Sequence, residues 1–133
     1  LKSHRREILS GIKRVARVDH IQIAAPSGCE PAAREFYGSM LGLEEIDKPL
    51  VLLTRGGRWF QCDKQQVHIG VEPEGQPARK THLAFVVFSL DELRQTLLAR
   101  GINVVDGEDL PERRRSYADD PWGNRIEFVE LQR

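Results

Sequence analysis

Four side chains in this sequence have both the chemistry and the spacing to hold a metal ion: His20, His68, His82 and Glu127. They occur in the triplets Asp19-His20-Ile21, Val67-His68-Ile69, Thr81-His82-Leu83 and Ile126-Glu127-Phe128, so each has at least one apolar neighbour in a strand-like setting. Strand side chains alternate faces, which turns the apolar neighbours one way and these four residues the other. Three imidazoles and a carboxylate are suitable donors for a divalent metal such as Zn, Fe, Ni, Co or Mn. A buried carboxylate without a partner is costly, and a bound cation would account for Glu127 between two large apolar residues. A lone strand histidine is more often structural than ligating, so the weight falls on register across a repeat rather than on any one residue. Four protein ligands on an octahedral ion would leave about two positions for a substrate that chelates through neighbouring oxygens. Glu127, the one carboxylate of the set, is the candidate catalytic group for moving a proton.

The elements that must position these residues read as two copies of one pattern. Residues 1–16 form a basic, amphipathic arm, expected to be a short helix on the outside of the domain or a frayed segment. Val18–Ala24 alternates as a strand, Pro26, Ser27 and Gly28 end it, and a helix is predicted from Pro31 to a stop at Gly42. Strands are predicted around Leu50–Thr54, Arg58–Asp63 and Gln66–Glu72, followed by a linker over 73–80. The order then repeats: a strand over Thr81–Val87, a helix opened by the capping box Ser89-Leu90-Asp91-Glu92 and ended by Gly101, then strands at Ile102–Val105, Arg114–Asp119 and Arg125–Leu131. The last two are joined by the turn Asp120-Pro121-Trp122-Gly123-Asn124. The domain is thus 17–132, with module one at 17–72 and module two at 81–132. His20 and His82 lead the two modules; His68 and Glu127 lie in their last strands. If the modules pack as pseudo-symmetric halves, all four line one concave surface. Gln22, Arg58, Phe60 and Tyr117 are the expected substrate-binding residues around them. Arg58 and the Arg113–Arg115 cluster could pair with an anionic substrate, although exposed arginines more often form a solvated edge. Cys62 is expected to be structural rather than a reactive thiol.

Composition narrows the partners. Across 133 residues, 20 Lys and Arg balance 20 Asp and Glu. A generic nucleic-acid binder would carry a basic excess, so nucleic acid is not an expected partner. Two cysteines give neither a disulfide scaffold nor a cysteine-rich zinc motif. No apolar run approaches the roughly 18 residues that cross a bilayer, and the arm lacks the apolar core of a signal sequence. No membrane partner and a cytoplasmic location are therefore expected, with a small molecule as substrate.

VDHIQIA, REFYGSMLGLEE, THLAFVV and DPWGNRIEFVE resemble the hallmark segments of the vicinal oxygen chelate superfamily, which includes glyoxalase I, extradiol dioxygenases, methylmalonyl-CoA epimerase and the fosfomycin- and bleomycin-resistance proteins. The resemblance spans about residues 17–131. It implies an α+β fold of two βαβββ modules forming a half-open, eight-stranded barrel-like sheet around a divalent metal. It also implies that the metal positions map onto His20, His68, His82 and Glu127. Bacterial glyoxalase I has a glutamate where His68 stands, so a two-base isomerase mechanism does not carry over directly; the His/His/Glu set of extradiol dioxygenases and fosfomycin transferases is present as His20, His82 and Glu127. The implied function is a metal-dependent isomerase, lyase or dioxygenase. A fosfomycin-type transferase and a metal-free, ligand-sequestering protein like those of bleomycin resistance are the alternatives. Members build the site within one chain or across a dimer, and a homodimer is expected because an open half-barrel leaves sheet edges to cover.

Overall fold

The structure is a computed structural model that describes residues 12–131. Strand β1 (His20–Ala25) leads into helix α1 (Glu30–Ala33), which opens on Pro31 and continues as a π-helical segment, Arg34–Met40. Strands β2 (Glu44–Ile46), β3 (Arg58–Cys62) and β4 (Gln65–Val71) complete the first module. The second holds β5 (Leu83–Val86), helix α2 (Leu90–Ala99), β6 (Val105–Asp106), β7 (Arg113–Asp119) and β8 (Arg125–Leu131). Each module makes its own four-stranded sheet, ordered β1-β4-β3-β2 and β5-β8-β7-β6. In both, the first and last strands run parallel and the remaining pairs antiparallel. The helix crossing back over its sheet gives each sheet one covered face and one open face.

The covered faces hold the core. Ile23, Ala25, Phe60, Val67 and Ile69 pack beneath Ala33, Phe36 and Tyr37, while Phe85, Ala118, Ile126 and Phe128 pack with Leu90 and Leu97. Ser89 caps α2 by accepting the Glu92 amide at 3.2 Å, a contact of the kind that contributes about 1 kcal/mol. At the start of β3, Gly57 has φ +84° and comes so close to β4 that a Cβ there would lie 2.0 Å from the Ile69 carbonyl oxygen. Only glycine fits both demands.

The modules are joined by a buried polar hub in the turn between β7 and β8. Asp120 accepts the Tyr37 hydroxyl at 2.7 Å, the Trp122 and Asn124 amides at 3.0 and 2.9 Å, and the Asn124 side-chain amide at 2.9 Å. Asn124 also donates to the Ala24 carbonyl at 3.1 Å and accepts the Ala78 amide at 2.9 Å, which links β1, the 73–80 segment and the turn. An ion pair between Arg100 and Glu35 adds a contact between the two helical layers.

Two elements differ from expectation. Leu50–Arg55 is a 3-10 helix, not a strand, and the edge of the first sheet is formed instead by Glu44–Ile46. Leu50 and Val51 are more than four-fifths exposed, so their apolar character does not come from core burial. Their place beside β3 is already taken by the segment directly after the Gly42 stop. Strand β6 is also shorter and later than Ile102–Val105. The expected arm helix lies mostly outside the described residues; Ile12 and Val15, which fall within them, are non-helical and exposed.

Candidate metal centre

Register decides which side chains reach the open faces. In the first sheet His20 lies opposite Gln66 and Gln22 opposite His68. Trp59 of β3 lies across from His68 on the other side. His68 is therefore two residues past the partner of His20. In the second sheet Leu83 pairs with Ile126, so extending the ladder by one residue sets His82 against Arg125, two residues before Glu127. The same offset recurs in both modules, which makes His68 and Glu127 equivalent positions of the repeat.

In the first module, His68 is held between two rings. Trp59 stacks on one face at 3.7 Å between centroids and 2° between planes, and His20 on the other at 4.2 Å and 16°. Nε2 of His68 lies 2.8 Å from the Gln66 Oε1, and Nδ1 of His20 lies 3.0 Å from Asp19 Oδ2. Both oxygens are acceptors as placed, so the protons sit on those nitrogens, leaving lone pairs on His68 Nδ1 and His20 Nε2. Burial, helped by the neighbouring His20 and opposed by Asp19, pushes His68 down to about 4. The hydrogen bond from His20 holds the Asp19 carboxyl below its ordinary value. A Cβ at Gly70 would fall 2.4 Å from the Gln22 side-chain nitrogen, so a larger residue there would displace the end of Gln22.

The second module sets an imidazole against a carboxylate. His82 Nδ1 lies 2.9 Å from the Lys80 carbonyl, which can only accept, so that nitrogen carries a proton. Its Nε2 then faces Glu127 Oε1 at 2.8 Å. A bare lone pair against a carboxylate is repulsive; a proton or a cation must lie between them. Glu127 Oε2 is 3.6 Å from Arg115 Nη1, and Tyr117 presents its ring edge to His82 with centroids 5.9 Å apart.

The donor chemistry suits a divalent metal, but the four side chains do not converge on one point within this chain. His20 and His68 each give one nitrogen to an oxygen acceptor and keep the other free, the outer-shell pattern of metal-bound imidazoles, whereas both nitrogens of His82 are paired, with the Lys80 carbonyl and with Glu127. A metal lies close to the plane of each imidazole that binds it. Rings stacked within 16° cannot share one ion in that way, so one of the two must turn. His68 is clamped beneath Trp59, whereas His20 is exposed. Among the described residues no three His, Cys, Asp or Glu side chains converge. One chain thus brings His20 to His68 and His82 to Glu127, but does not bring the two pairs together. Neither a cavity of about 540 Å³ along Tyr117 and Arg125 nor a larger one of about 820 Å³ between the π-helical segment and β5 is lined by any of the four.

Of the residues expected around the metal, Gln22 and Tyr117 do face the open side. Arg58 and Phe60 do not. Phe60 is fully buried against Tyr37 beneath the helical layer, and Arg58, of the same parity, pairs with Glu45 at 3.2 Å. The open-face positions of β3 are Trp59 and Gln61, which the sequence reading passed over. A two-residue β3–β4 turn, at either Lys64-Gln65 or Asp63-Lys64, puts Trp59 and Gln61 on the His68 face; the observed turn at Asp63-Lys64 pairs Trp59 with His68 itself. Cys62 is half-buried, with its thiol pushed up by burial and by Asp63, as suits a structural cysteine.

The sequence model of the glyoxalase/bleomycin resistance protein/dioxygenase superfamily matches residues 17–128. The chain belongs to this superfamily. A glyoxalase family protein from Bacillus anthracis is 48% identical over 92% of this chain and 100% of its own, with a TM-score of 0.86. More distant structures share the fold. Lactoylglutathione lyase from Agrobacterium tumefaciens is 20% identical over 88% of this chain and 95% of its own, with a TM-score of 0.68. The genomically encoded fosfomycin resistance protein FosX from Listeria monocytogenes is 19% identical over 88% and 94%, with a TM-score of 0.70. Comparison with curated proteins gave no match. The superfamily fold is the α+β architecture that the resemblance implied, with its two sheets left open. Superfamily members typically use divalent metals and bind small molecules. Among the described residues, no helix is long and apolar enough to cross a membrane.

Proposed function

We propose that this superfamily member is a metal-dependent enzyme acting on a small, oxygen-rich, chelating substrate by isomerase, lyase or dioxygenase chemistry. His20, His68, His82 and Glu127 are its proposed ligands. The observation that carries the reading is the hydrogen bonding of the imidazoles: Asp19 and Gln66 satisfy one nitrogen of His20 and of His68 and leave the other to a ligand, and the Lys80 carbonyl turns Nε2 of His82 onto Glu127, where a cation would relieve the facing lone pairs. A divalent ion of the Zn, Fe, Ni, Co or Mn type would supply Lewis acidity to substrate oxygens when bound. Glu127 is the group that moves a proton, since it is the carboxylate of the set and lies on the open face. Gln22 and Tyr117 orient the substrate by hydrogen bonding to its oxygens.

Because the two donor pairs stand on separate sheets, we propose that the site is completed between two copies. The His20–His68 pair of one would face the His82–Glu127 pair of the other. Complementation tests both parts. His20→Ala and Glu127→Ala chains each take up no Co(II) alone, but after being mixed, unfolded and refolded together they recover uptake at roughly a quarter of the sites, the intact ones of mixed dimers. No recovery from the mixture would overturn the shared site. A wild-type chain that takes up none of these metals would instead be a ligand-sequestering member.

A further inference from the structure

The open face of the second sheet carries more positive charge than the metal reading needs. Arg113 and Arg115 of β7 and Arg125 of β8 share the parity of Tyr117 and Glu127, so all five belong to one face. Arg114, between them in sequence, turns to the helical side and meets Asp91 and Glu130. Tyr117 organises two of the three. The Arg125 guanidinium lies 3.9 Å above its ring centroid, and Arg115 Nη1 donates to its hydroxyl at 3.0 Å. Arg115 Nε is fixed by the Glu108 carbonyl at 3.0 Å.

These bonds leave donors unspent. Among the described residues, Arg115 Nη2 and the whole Arg125 fork have no hydrogen-bond partner. The carboxylates on this face are Glu127, which lies between His82 at 2.8 Å and Arg115 Nη1 at 3.6 Å, and Asp119, which stands opposite Arg125 in the ladder but pairs with Arg79 at 2.5 Å. The open face of the first sheet offers Gln22, Trp59, Gln61, Gln66, His20 and His68, with Glu44 as an exposed carboxylate at its β2 edge. Planar guanidinium forks with free N–H groups are suited to carboxylate and phosphate oxygens.

We infer that Arg115 and Arg125, mounted on Tyr117, form an oxyanion subsite beside Glu127, and that the substrate carries a carboxylate or phosphate-like group. This rests on the reading of the open face as the substrate side, and it specifies the class of substrate held there. Tyr117 acts as the mount: it holds one guanidinium by its ring and the other by its hydroxyl.

The test is calorimetric titration of metal-free protein with inorganic phosphate and with acetate at low ionic strength. Wild type binds at least one of the two, and the tighter one identifies the geometry of the group. Arg115→Gln and Arg125→Gln each weaken binding about tenfold or more. Arg114→Gln, on the opposite face, changes it less than about twofold, and Glu127→Gln tightens it by removing the competing carboxylate. Absence of binding by wild type, or equal losses in the Arg114 and Arg115 variants, overturns the subsite. Co(II) uptake is measured separately on the same proteins. A chain that binds phosphate through Arg115 but takes up no metal would refute the metal reading and leave this one standing.

Discussion

At the scale of single residues, the second-module pair is the most sensitive point of the molecule. His82→Ala or Glu127→Ala is expected to abolish stoichiometric Co(II) uptake while the circular dichroism spectrum stays that of the folded protein. Retained uptake in both variants would remove them from the site. Trp59 supplies an optical reporter, because His20 must turn away from His68 to bind in plane and the three-ring stack then changes. Metal addition should alter tryptophan emission in wild type and not in Trp59→Phe. His68 gives the metal-free protein a pH dependence with a definite sign. Its folded value of about 4 lies below the ordinary imidazole value near 6.5. Above that ordinary value both states are neutral and the stability is complete. As pH falls toward 4 only the unfolded chain takes the proton, which costs up to about 3 kcal/mol. Urea midpoints measured across that window should fall in wild type and stay nearly flat in His68→Gln. The four ligand candidates were legible from alternation alone, since HIQIA and RIEF fix the parity of their strands. Trp59 was less evident. A two-residue turn to β4 sets the parity of β3 and sliding it by one residue changes only the partner, but both Trp59 and Phe60 are apolar enough for either face.

At the scale of elements, the β7–β8 turn does more than reverse the chain. Its Asp120 holds the Tyr37 hydroxyl of the opposite module in a buried bond. Tyr37→Phe should cost about 1–3 kcal/mol by leaving a buried carboxylate lone pair without its donor, read from the shift of the urea midpoint. Burial, then the charge of Asp120 and its hydrogen bond, raise the Tyr37 phenol well above 10. The folded state therefore keeps a proton that the unfolded state releases. This stability is complete below about pH 10 and is lost as pH rises beyond it. An alkaline titration should unfold wild type earlier than a Tyr37→Phe control corrected for its lower starting stability. The helix starts, the Gly42 stop, the capping box and this turn were readable because each is set by local chemistry. The edge strand was not: LVLLT has β-forming residues, but pairing with β3 is a tertiary choice, and Glu44–Ile46 reaches that edge first.

At the scale of the whole molecule, duplication was visible in the sequence as repeated order and matched histidines, yet the relation between the copies was not. Alternation tells which way a side chain turns from its own sheet and is silent about what stands opposite. If the proposed site spans two chains, metal affinity and association are linked. Dilution through the dimer dissociation range should release Co(II), seen as loss of its visible absorption, and Co(II) at a hundred times its Kd should stabilise the folded dimer by about 2.7 kcal/mol for each of its two sites. The two-residue offset shared by both ladders has a further consequence. A strict repeat would place like donors on both sides of a closed cleft, with no sense of direction. At the equivalent positions, the first sheet has an imidazole between a second imidazole and an indole, and the second has a carboxylate next to a guanidinium. If the two faces meet as proposed, that difference would give the cleft an electric polarity and align a substrate with one charged end before any chemistry begins.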